Sequence, residues 1–205
     1  DYTGLIVITN NSTAVNGINV SANRTLGAQI ITNGATSSIL NAGTITASNR
    51  IENRGTLTTT GTLNGGTSGL VSFAGSTINA AGTINGAVST AGTFNVTAAL
   101  VNNSTITNSG TFNVTGATLT TIGVSNLAAG IVNATGAING QVANNGTFNV
   151  TGNLTGNNSF GNAGTGVLAV SGGNYTGLTA VTNNSTAMNG INVSATRTLG
   201  AGIIS

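Results

Sequence analysis

The chain alternates apolar and polar residues in short runs broken by glycine and asparagine. In Thr93-Phe94-Asn95-Val96, Thr111-Phe112-Asn113-Val114 and Ile18-Asn19-Val20, every second residue is apolar. That period of two is the pattern of a strand with one buried face. A recurring word opens these runs: glycine or serine, then threonine, then an aliphatic residue. It reads Gly43-Thr44-Ile45, Gly55-Thr56-Leu57, Gly82-Thr83-Ile84 and Ser104-Thr105-Ile106. Glycine and asparagine bracket the runs and supply the positive-φ positions that tight corners need. With 32 glycines in 205 residues and abundant β-branched side chains, any long helix would be costly.

The strands recur on two periods. Residues 174–205 repeat residues 1–32 at 24 of 32 positions, every pair offset by 173. Residues 1–173 are therefore one long unit, and 174–205 begin the next copy within a single continuous segment, 1–205. Inside the unit a shorter word returns: TAGTFNVTA at 90–98, NSGTFNVTG at 108–116 and NNGTFNVTG at 144–152, at spacings of 18 and 36. A degenerate copy, AAGIVNATG at 128–136, is about two residues out of phase. A 54-residue echo links 76–98 to 130–152, so the elementary unit is near 18 residues and the 173-residue unit holds about nine of them.

Short parallel strands joined by brief corners, repeating every 18–20 residues or so, predict an all-β fold: a single-stranded parallel β-helix, or β-solenoid. Each coil lies about 4.8 Å above the last, so nine coils span roughly 43 Å. Phe94, Phe112, Val132 and Phe148 are expected to stack along the axis as a structural core column. Ile78, Ile84, Leu100, Ile106, Ile138 and Leu154 are expected to line the other walls. Asn95, Asn113 and Asn149 are expected at matching corners, where stacked amides form hydrogen-bonded ladders.

Composition sharpens this picture. Only Asp1, Arg24, Arg50, Glu52, Arg54 and Arg197 carry charge, 3% of the chain, against about 25% in ordinary domains. In a parallel stack each outward side chain sits about 5 Å from its copies, where like charges repel. Thr, Ser and Asn stack without that penalty. The high pI reflects four arginines against two acids, a net charge of +2 that makes no nucleic-acid-binding patch. No apolar run approaches the roughly 20 residues of a membrane-spanning helix, so no membrane insertion by this segment is expected. The absence of Cys and Pro fits a chain threaded unfolded through a secretion pore, then folded without slow disulfide or proline steps.

These words, the Gly-Thr-Asn richness, the missing Cys and the coil length resemble bacterial secreted β-helix exoproteins, the filamentous-haemagglutinin-like and autotransporter-passenger adhesins. The resemblance covers the whole chain. It implies a right-handed β-helix, export across a Gram-negative outer membrane, and a place at the cell surface or in a secreted filament. The six-residue spacings Gly55 to Gly61, Ser76 to Gly82 and Ser104 to Gly110 also suit a left-handed triangular helix with three six-residue sides.

Candidate chemistry is sparse. With no His, Cys or Lys and only two carboxylates, the chain lacks the acids, bases and nucleophiles of catalysis, and no enzyme, metal site or cofactor is expected. Arg50, Glu52 and Arg54 are the one concentration of charge; at alternate strand positions they share a face, with Ile51 on the other. Arg24 and Arg197 occupy one repeat position, 173 apart. All five are candidates for a lateral contact: Arg50, Glu52 and Arg54 with a neighbouring fibre or an acidic ligand, the plain alternative being a solvated ion triad, and Arg24 and Arg197 as a capping or lateral contact, the plain alternative being a solvated strand end. Tyr2 and Tyr175, also equivalent, read as packing or corner aromatics. The expected function is structural, a stiff stalk or filament in a large extracellular bacterial surface protein. The alternative is an adhesin module whose neutral Thr/Asn walls bind glycans, host surfaces or like fibres. Self-association into fibres or bundles and a glycan or host ligand are the expected partners.

Overall fold

The computed structural model of the protein describes residues 1–205. All its regular structure is strand: nineteen strands run from Tyr2–Asn10 to Leu199–Ile204, with no helix. Each pairs in parallel with strands about one coil away, so the chain winds as a β-solenoid. One column of register partners follows the winding from end to end. It runs Ile8, Ile31, Ile51, Leu70, Val88, Ile106, Val124, Val142, Phe160, Val181 and Ile204, which are eleven levels. Ile8 and Val181 are 173 residues and nine register steps apart, a mean of about 19 residues per coil.

Each central coil has three sides. Phe94, Leu100 and Ile106 mark their centres, six residues apart, and all are 0–1% exposed. Register shifts between Val96 and Leu100 and between Asn102 and Thr105 mark two of the corners. Two of the three corners in these coils do not interrupt the strand. Thr93–Asn108 and Thr111–Asn126 each run 16 residues as unbroken strand around them.

The inward side chains stack into continuous columns, enclosed everywhere but in the terminal coils. Phe94 pairs with Phe112, Phe112 with Val132 and Val132 with Phe148, and none of the four is exposed to solvent. Burying each such side chain contributes about 1.5–3 kcal/mol. Phe94 and Phe112 meet edge-on with ring centres 5.3 Å apart. Tyr175 lies parallel to Phe148 at 5.9 Å and edge-on to Phe160 at 5.9 Å, joining two sides of the solenoid. Its repeat partner Tyr2, in the first coil, is 67% exposed, whereas Tyr175, with coils above and below, is 0% exposed. Position in the stack, and not residue type, sets the burial.

The Gly-Thr word has a steric cause. At the corner after the third side, and in the early coils at the corner after the first, the chain passes directly over the coil beneath. A Cβ on Gly110 would run into the carbonyl oxygen of Gly92, and one on Gly61 into that of Gly43. Neither glycine has a positive φ, so close approach, not backbone conformation, is what demands glycine there. The following threonine uses the same carbonyl: Thr111 N donates to Gly92 O at 2.9 Å and Thr62 N to Gly43 O at 2.8 Å.

Asparagine ladders form, but not where expected. Asn95, Asn113 and Asn149 are not at corners. They sit mid-strand on the outer face of the Phe side, half-buried between Phe and Val positions, because the period of two turns them outward. There Asn95 donates to Asn79 at 2.8 Å, Asn113 to Asn95 at 2.8 Å, Asn133 to Asn113 at 2.9 Å and Asn149 to Asn133 at 3.0 Å. The corner ladder is a different set and points inward. Asn108 donates to Asn126 at 2.8 Å, Asn126 to Asn144 at 2.7 Å, Asn144 to Asn162 at 2.8 Å and Asn162 to Asn183 at 2.9 Å. Asn10, Asn33 and Asn53 continue it in the early coils at 3.0 and 2.8 Å. The same amides reach corner carbonyls, as Asn126 does to Gly130 and Thr147, both at 3.1 Å, so they hold the bend closed from inside. The inner ladder donates toward later coils, the outer one toward earlier coils.

The inner ladder also explains the out-of-phase copy at 128–136. Asn108, Asn126, Asn144 and Asn162 keep a strict spacing of 18. After Asn53, Asn108 and Asn144 the corner takes two residues, such as Ser109-Gly110. The corner at 127–130 takes four, closed by Gly130 N donating to Leu127 O at 2.8 Å. Two extra residues are absorbed there and Val132 still reaches its place between Phe112 and Phe148.

Candidate functional site

The charged residues fall into one cluster, Arg50, Glu52 and Arg54, and three outliers, Asp1, Arg24 and Arg197. Arg50 and Glu52 lie on the outer face of the strand Thr44–Asn53, with Ile51 buried between them as alternation requires. Arg50 Nε donates to Glu52 Oε1 at 2.6 Å. Arg54 does not continue the strand. Asn53 turns inward to the ladder, and Arg54 begins the two-residue corner that Gly55 completes. Its Nη2 lies 3.9 Å from Glu52 Oε2, so each oxygen of the carboxylate faces one arginine.

The sequence reading missed the fourth member, Phe73. One coil on, Phe73 starts the next corner, and its N–H donates to Asn53 O at 2.9 Å just as Arg54 N donates to Asn33 O. Arg54 and Phe73 are therefore successive members of one corner column. The Arg54 guanidinium lies 3.7 Å from the centre of the Phe73 ring, a cation–π contact. Phe73 is only half-buried, unlike the other four phenylalanines. Gly69 is the register partner of Arg50 on the next coil, so no side chain covers that arginine from above. The Arg50 and Arg54 side chains remain 39% and 47% exposed, while Glu52 is 18% exposed. Exposed pairs of this kind contribute about 0–1 kcal/mol to stability.

Arg24 and Arg197 lie away from this corner. Arg197 Nε donates to Ser171 O at 3.2 Å, and Arg24 borders a concavity with Asp1 and Tyr2. The other surface concavities are lined by small neutral groups, Thr3, Thr25, Gln29, Thr46 and Ser48 in one and Thr105, Ser125 and Gln141 in another. No group of three or more His, Cys, Asp or Glu comes together. The arrangement can hold an anion or present a hydroxyl- and amide-lined wall. Comparison with protein-family models, curated proteins and solved structures found no match.

Proposed function

We propose that the chain is a rod-forming repeat segment, a stiff stalk or filament of a large extracellular bacterial surface protein. The observation that carries this reading is the phase match between sequence and coil: a 173-residue offset corresponds to nine register steps from Ile8 to Val181. Successive units joined end to end therefore continue every core column without a break. Continuous backbone pairing along the axis, aromatic and aliphatic columns inside and amide ladders both inside and out resist bending. Unit number sets reach. The uncharged walls and the Cys- and Pro-free composition suit export as an unfolded chain followed by folding outside.

Chains of one, two and three 173-residue units, measured by small-angle scattering or negative-stain microscopy, test this. The expected length increment is roughly 43 Å per unit at constant cross-section. A radius that grows in all directions, or units that bend freely against each other, overturns it. The adhesin reading is favoured by one feature only, the Arg50–Arg54 corner.

A further inference from the structure

We infer that the Arg50–Arg54 corner is a docking point for the carboxylates of an acidic polysaccharide. The cluster carries two arginines against one acid, a local net charge of +1, and both guanidinium groups are more than a third exposed. Within the chain only Glu52 pairs with them. The chain's acids are Asp1 and Glu52 alone; Glu52 already faces both arginines, and Asp1 Oδ1 accepts from Thr25 N at 2.8 Å. A second copy carries one other side-chain carboxylate, the exposed Asp1, against four arginines, so a polyanion complements this corner far better than another copy does.

The geometry selects the kind of anion. The Phe73 ring holds the Arg54 guanidinium 3.7 Å from its centre, and the planar fork of a guanidinium matches the two oxygens of a carboxylate. Gly69 leaves the space above Arg50 open. The neighbours on this face, Thr32 and Val71 beside Glu52, are small and add no further charge. Hydroxyl and amide walls suit the hydroxyls of a sugar chain. A nucleic acid presents a phosphate about every 1.7 Å of axis and would find one net charge here, and an acidic peptide would find no apolar pocket for an anchor. In an array the corner recurs once per 173-residue unit, so weak sites add by multivalency. A chain with no affinity for anions would still be a stalk, so the two ideas fail separately.

The test uses the full 205-residue chain and immobilised polygalacturonate at low ionic strength, with dextran, dextran sulfate, polyglutamate and single-stranded DNA as comparison surfaces. Expected is retention on polygalacturonate above dextran. Arg54→Ala should weaken it by up to about five-fold, the scale of one exposed charge pair. Arg54→Lys, which keeps the charge and loses the fork, and Phe73→Leu, which removes the stacking face, should each weaken it measurably. Arg197→Ala, outside the cluster, should leave it unchanged. Unaltered thermal midpoints in these variants separate lost binding from lost fold. No retention above dextran overturns the proposal. So does retention indifferent to Arg54→Ala, or tighter retention on dextran sulfate, polyglutamate or DNA than on polygalacturonate.

Discussion

Tyr175 shows how a single residue bears the cost of its place in the stack. Its ring fills the space between Phe148 and Phe160, but its hydroxyl is buried with no hydrogen-bond partner. Burial pushes that hydroxyl well above the ordinary tyrosine range, because the phenolate would lose its hydration. The neutral form is the one the fold accepts. Stability linked to Tyr175 is therefore complete below the unfolded-state value near 10 and falls as pH rises beyond it. Tyr175→Phe keeps the ring, removes the orphaned hydroxyl and is expected to raise stability by about 1 kcal/mol. It should also flatten the alkaline part of the curve of melting temperature against pH, above roughly pH 10. A variant that melts earlier than the parent at pH 7 would show that the hydroxyl has a partner after all.

At the scale of the element, the corner is held by its inward asparagine. The column has a gap where Ser72 and Thr90 stand between Asn53 and Asn108. Ser72 pairs with Ser76 at 2.6 Å, but Thr90 Oγ1 is buried without a partner. Thr90-Ala91-Gly92-Thr93 has the same spacing as Asn108-Ser109-Gly110-Thr111, so an asparagine has its usual surroundings there. Thr90→Asn is expected to extend the ladder to Asn108 and stabilise the fold by about 1 kcal/mol. Asn126→Ala, in the unbroken stretch, orphans its neighbours and should cost about 1–3 kcal/mol per unsatisfied group. Chemical denaturation of both variants checks the pair. Opposite signs are required, with slopes like the parent's.

At the scale of the molecule, each coil contacts only its neighbours, and stability is close to a sum over coils and their interfaces. Whole coils should then be removable. Deleting residues 109–126 takes out one 18-residue circuit and brings Asn108 to the level below Asn144, and Phe94 to the level below Val132. The shortened chain is expected to keep its circular dichroism spectrum and cooperative melting. Deleting nine residues, 109–117, shifts every later side chain out of register and should abolish folding. Equal behaviour of the two deletions would contradict the stacking. The scarcity of charge belongs to this scale too. The cluster at Arg50, Glu52 and Arg54 is tolerated because Glu52 separates the arginines within one coil and Gly69 and Val71 place no charge above them.

The spacing of 18, the alternation within it and the 173-residue offset were enough to determine the parallel solenoid, because stacking requires a fixed coil length and a period of two. Alternation also held a signal for the inward ladder. Asn108 stands two residues after Ile106, on the same face, so it must point in. What the sequence could not decide is which corner residues meet. Asn95 and Asn108 are the same letter, and only their parity relative to the corner separates a half-buried outer ladder from a buried inner one. Arg54 and Phe73 lie a coil apart in the chain, and corners of two or four residues shift the phase between them. Only the wound tertiary structure puts one over the other, because register across coils is fixed by the core columns and the ladder together, not by any local run of residues.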